Sequence, residues 1–309
     1  MPKPPGVPFP QASVSTISMQ SIACAKDRLF CPQSNIQVFG IEWMTLLRKD
    51  CAPFHKAAFL QTNRADLGLR YWNWALSANN LSASPLFDGS PTSFSGNGDP
   101  IDADPVIPLT PSNVSIPRGT GGGCVTNGPF ANMILNLPDL DSAPNDVFPP
   151  NGFHYSPHCL TRDLNTFIAR AFTGQADVDR LLASPDIATL QHNIDVSSWP
   201  AIREAGIMGP HAAAHMQLGR SMDDFWTAPQ EPTFMLHHAM VDRIWALWQA
   251  QDPENRRWAL NGTSTIMNAP STPEVDLDTQ LTWGWLSENK TLREIMSTKA
   301  YEYNYEYGD

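Results

Sequence analysis

From residue 160 onward the apolar positions recur at helical spacing. Leu164, Phe167, Ile168 and Ala171 fall three and four residues apart, as do Val178, Leu181 and Leu182. That period marks amphipathic helices with one face on a core, and core is the role assigned to both stripes. The run His211-Ala212-Ala213-Ala214-His215 follows Pro210 and precedes Gly219. Proline suits a first helical turn, alanine favours the interior, and glycine suits the stop. A longer helix is predicted between Pro232, placed in its first turn, and Pro253, beyond its end. On it His238, Asp242, Trp245 and Gln249 share one stripe, flanked by Val241 and Trp248. Residues 75–159 are instead rich in Pro, Gly, Ser, Asn and Asp. They predict long loops with little regular structure, which in a compact domain are often functional. Residues 276–285 fit a short strand or a loop. No internal repeat is present.

The stripe carries chemistry. His211 and His215 are four apart and so lie on one side of a helix, about one turn from each other. A third imidazole from the neighbouring helix would complete a three-nitrogen site suited to copper, zinc, nickel or iron. Adjacent helical residues diverge by about 100°, so His237 and His238 are not both expected to face one ion. Helix phase by itself does not settle which of the two faces the ion; the other would be a packed, hydrogen-bonded neighbour. Asp242, on the same buried stripe, needs a partner, and a carboxylate-supported metal shell would supply one. A zinc hydrolase fits poorly, because Ala212 stands where a helical zinc protease carries its glutamate. The resulting fold class is mainly α, a helical bundle holding a metal site and wrapped by long irregular loops.

The run Glu231-Pro232-Thr233-Phe234-Met235-Leu236-His237-His238-Ala239-Met240-Val241-Asp242-Arg243, with the His211/His215 pair, resembles the second copper half-site of the tyrosinase and catechol oxidase family. Glu231 replaces the family's Asp, and because Asp caps a helix start better, some loss of local order is expected. Tyr71-Trp72-Asn73-Trp74 is similar to the family's Tyr-Trp-Asp-Trp. Ser84 to Gly89, Ser95 to Gly98, Gly121 to Val125, Gly128-Pro129-Phe130, Pro157 to Leu160 and Met296-Ser297-Thr298 resemble segments of fungal members in order and spacing. The resemblance implies a copper oxidase turning o-diphenols or related phenols into o-quinones with O2, in pigment or secondary-metabolite formation. It implies two coppers, with His211, His215 and His238 as ligands of the one clearly encoded site, and a small phenolic substrate. It places Phe234 against a ligand ring. Relatives that hydroxylate monophenols well carry Asn where Ala212 stands; alanine has no acceptor, which points to diphenol oxidation.

Type 3 copper enzymes take three more histidines from before the Tyr-Trp-Asp-Trp segment. Here only His55 precedes Tyr71. His154, His158 and His192 are the spare candidates, and none has a supporting context. The alternative is therefore a catalytically degenerate relative serving as a metal-binding or accessory protein. The domain organisation read from the chain is an irregular, disordered lead over residues 1–35 and a copper-binding domain over 36–305 whose first half-site is incomplete.

Composition narrows the partners. A net charge of −11 argues against nucleic acid or an anionic membrane surface. No apolar run of about 18 residues is present, so no spanning helix is expected. Residues 1–10 are proline-rich and lack the apolar core of a secretory signal. Asn80, Asn113, Asn261 and Asn289 each begin a glycosylation triplet, so secreted and cytoplasmic locations both fit. Five cysteines permit disulfides in an oxidising compartment, but spacing alone does not pair them. Oligomeric state is not encoded in any of these signals.

Overall fold

The computed structural model describes residues 71–109, 114–138, 155–195, 208–224, 227–265, 268, 270–282, 288–299 and 305–307. The lead over 1–35, the domain start over 36–70 with His55, and His154 lie outside the described residues.

Helices carry the core. After a short α1 (Trp74–Ser77) come α2 (Thr166–Phe172), α3 (Gln175–Leu182), α4 (Ile187–Ile194), α5 (Pro210–Leu218) and α6 (Phe234–Gln251). Helix α2 packs on α5, α3 on α4 and α6, and α4 on α5. Asn165 caps α2 by accepting the Ile168 N–H, and Asp186 caps α4 by accepting that of Thr189. Pro210 opens α5, and Gly219 ends it at φ +60°, a left-handed conformation that a side chain would strain. The predicted stripe of α6 is buried throughout, with His238, Asp242, Trp245, Trp248 and Gln249 in the interior. Pro232 lies just before α6, not in its first turn. The stripe predicted around α2 is also adjusted. Leu164 and Ile168 are buried, but Phe167 is 51% exposed and Ala171 faces outward. The Asn165 cap sets the helix phase and turns Ala169 inward instead.

The loop-rich segment forms short antiparallel pairs. Strand β1 (Gly98–Pro100) pairs with β4 (Gly122–Val125), β2 (Val106–Leu109) with β3 (Val114–Pro117), and β5 (Ile134–Leu135) with β6 (His158–Cys159). Farther on, β7 (Gln280–Leu281) pairs with β8 (Lys290–Thr291), so the described part of the 276–285 segment, 276–282, includes a short strand. Backbones approach closely here. A Cβ on Gly98 would lie 2.2 Å from the Gly123 carbonyl oxygen, so only glycine fits. Cys124 and Cys159 form a disulfide that ties β4 to β6.

A buried ion pair fastens this layer to the helices. Arg162 and Glu231 are both fully enclosed and in contact through the guanidinium. The Arg162 Nε donates to the Glu231 carboxylate at 3.0 Å, and Nη1 donates to the Ser95 carbonyl at 3.2 Å. The other Glu231 oxygen accepts the Thr233 N–H at 2.6 Å, immediately before α6. The expected loss of order at Glu231 is thus corrected. The longer side chain reaches Arg162 while still holding the helix start.

Candidate metal centre

Helices α5 and α6 bring four histidines together. One ring nitrogen from each of His211, His215, His237 and His238 lies within 4.8 Å of the others, the one such group that could hold a metal among the described residues. The rings of His211, His215 and His238 are almost equally spaced, with centroids 5.0, 5.2 and 5.4 Å apart. His237 is the packed, hydrogen-bonded neighbour expected, fully buried and accepting from Trp74, but one of its nitrogens also lies within reach of the group. The 100° divergence applies to the Cα–Cβ vectors, and rotation about the side-chain bonds lets the two rings approach to 4.7 Å. Phe234 lies 4.2 Å from the His238 ring, centroid to centroid, as expected. His158 bonds its own loop through the Ser156 carbonyl, and His192 is exposed on α4; neither joins the group.

The partners of each ring fix its protons. His211 Nδ1 lies 2.9 Å from Asp195 Oδ1, and His215 Nδ1 lies 2.7 Å from the Met222 carbonyl oxygen. Both partners are acceptors, so Nδ1 donates and the neutral ring keeps its lone pair on Nε2. His237 has the opposite polarity, because its Nδ1 accepts the Trp74 indole N–H at 3.1 Å. Burial keeps the His215, His237 and His238 imidazoles neutral. The His215 ring, enclosed although its residue is partly exposed, is pushed down to about 3 by desolvation and then by His211. His237 and His238 lie well below the ordinary histidine value, chiefly by desolvation and then by their imidazole neighbours. Neutral nitrogen donors converging in a low-dielectric pocket are what a transition ion requires.

Asp242 plays a different part from the one expected. Its carboxylate accepts the Tyr305 hydroxyl at 2.7 Å and the Tyr307 hydroxyl at 2.6 Å, tying the C-terminal segment to α6. The carboxylate that supports a site histidine is Asp195, at the end of α4. Sequence reasoning missed it because nothing in local spacing joins it to His211. Trp74 was quoted only as part of a motif, and its contact with His237 spans 163 positions.

A helical core that gathers four imidazoles within reach of one ion is the arrangement of a histidine-based metal site. The common central domain of tyrosinase matches residues 47–251. Oxidase hkm6 of Aspergillus hancockii is 71% identical over 238 residues, covering 77% of this chain and 83% of that protein. Tyrosinase P of Aspergillus terreus is 41% identical over 273 residues, covering 86% and 71%. N-acetyl-6-hydroxytryptophan oxidase ivoB of Emericella nidulans is 31% identical over 278 residues, covering 86% and 72%. A solved variant of polyphenol oxidase from Thermothelomyces thermophila superposes with a TM-score of 0.74 at 30% identity, covering 95% of this chain and 77% of that one. The chain belongs to the tyrosinase family, whose members are copper-binding oxidoreductases. No described helix is long and apolar enough to cross a membrane.

Proposed function

We propose that the protein is a copper-dependent oxidase of o-diphenols or related hydroxylated aromatics, with His211, His215 and His238 as ligands of one copper. The observation that carries this reading is the pair of fixed Nδ1–H donors, which leave the His211 and His215 Nε2 lone pairs beside the His238 ring. Copper held there would supply one-electron chemistry with O2. The chain's own residues do the rest. Asp195 and the Met222 carbonyl orient two ligands, and Phe234 covers the third. The buried walls exclude water. The substrate class draws support from relatives, one of which is named for a hydroxylated indole. Formation of a secondary metabolite fits the same relatives, and the 36–305 span is the proposed working domain.

Copper analysis with catechol oxidation tests this reading. Two coppers per chain, O2 uptake and a quinone absorbance support it; absence of quinone formation in the copper-loaded protein overturns it. Only His55 precedes Tyr71, which favours a second reading, a one-metal or accessory protein. One copper per chain without quinone would be its signature. Ala212 leads to a further expectation. Ala212→Asn should raise monophenol turnover relative to diphenol turnover, and an unchanged ratio would detach that position from substrate choice.

A further inference from the structure

His237 differs from His211 and His215 in where its proton must be. The residue is fully buried, and its Nε2 has no hydrogen-bond partner. An indole nitrogen can only donate, so the contact with Trp74 occupies the Nδ1 lone pair and leaves the neutral ring's proton on Nε2. Neither nitrogen then offers an electron pair to a cation. Trp74 is firmly placed. Its side chain is fully buried, its ring lies 5.4 Å from that of His237, and the neighbouring Trp72 N–H donates to the Leu236 carbonyl at 2.9 Å.

We propose that Trp74 is a positioning residue that holds His237 in the Nε2–H tautomer and keeps it out of the metal's ligand set. Two adjacent histidines both reach the cluster, and helix geometry alone does not choose between them. The indole makes the choice, and His238 is the ligand that remains. The metal consequence rests on the copper reading above; the tautomer does not, since it belongs to the metal-free protein.

The first measurement therefore uses the metal-free chain with nitrogen-15 histidine. Long-range proton–nitrogen spectra should place His237 in the Nε2–H form and His211 and His215 in the Nδ1–H form. A His237 ring protonated on Nδ1 overturns the proposal. The second uses Trp74→Phe, which keeps an aromatic ring and removes the donor. Copper(II) bound to this variant should show one more nitrogen in its paramagnetic resonance spectrum and dissociate about tenfold less readily. Both changes should disappear when His237→Asn is added. If folded Trp74→Phe gives the wild-type spectrum and affinity, the indole does not select the ligand. Should neither protein bind copper, the copper reading fails while the tautomer spectra still decide the role of Trp74.

Discussion

The imidazole of His211 is oriented by a carboxylate sixteen positions earlier in the chain. Asp195 accepts its Nδ1–H and so presents Nε2 to the cluster, a support that usually matters to metal affinity by 10- to 100-fold, roughly the loss expected from Asp195→Ala. Copper titration calorimetry measures it, and an affinity within about twofold of wild type would show that His211 is oriented by other contacts. The histidines themselves were legible, because a four-residue spacing and a shared stripe follow from helix geometry. Asp195, Trp74 and the Met222 carbonyl were not, since each meets its imidazole through packing that sequence distance does not encode. Asp242 was misassigned for the same reason. A buried carboxylate requires partners, but only the fold reveals that they are Tyr305 and Tyr307.

Helices α5 and α6 were readable in their bounds, since proline and glycine punctuate them at Pro210, Gly219 and Pro253. What anchors α6 was hidden. Arg162 and Glu231 are 69 positions apart, and nothing in local spacing joins them. Breaking one partner of a buried, hydrogen-bonded pair typically costs about 3–5 kcal/mol, because the other charge is left without compensation. Glu231→Gln is expected to lower the unfolding free energy of the metal-free protein on that order, seen as a lower melting temperature. The double change Arg162→Met with Glu231→Leu should recover much of the loss. Equal destabilisation by the single and double changes would mean that the pair is not the relevant contact. Loop conformation was legible only as irregularity. The register of β1 with β4 and the pairing of Cys124 with Cys159 depend on contacts across the fold.

At neutral pH the whole protein encloses imidazoles that an unfolded chain would leave in water. The unfolded value is near 6.5, whereas His215 titrates at about 3 when folded and His237 and His238 lie well below their ordinary value. Below pH 6.5 the unfolded state therefore binds more protons, and stability falls as acid is added. Above pH 6.5 these groups contribute no pH dependence. The expected slope is up to about 1.4 kcal/mol per pH unit for each such histidine, before carboxylates begin to protonate. Melting temperatures of the metal-free protein should hold from pH 8 to 7 and drop by several degrees between 6.5 and 5.5. A flat profile across that second interval would count against a neutral buried cluster. Metal affinity should decline in the same direction, since the ligands must be unprotonated.

Local periodicity and residue chemistry determined the helical class, the loop-wrapped middle and the placing of His211 and His215 on one side of a helix. These features depend on neighbours three or four positions away, which the chain itself specifies. Tertiary structure decided the rest: that His237 also enters the cluster, that Asp195 supports it and that Asp242 ties down the C-terminal tyrosines. It also decided that Glu231 closes on Arg162. A buried polar atom must find a partner wherever packing supplies one, and packing joins residues whose separation along the chain carries no signal.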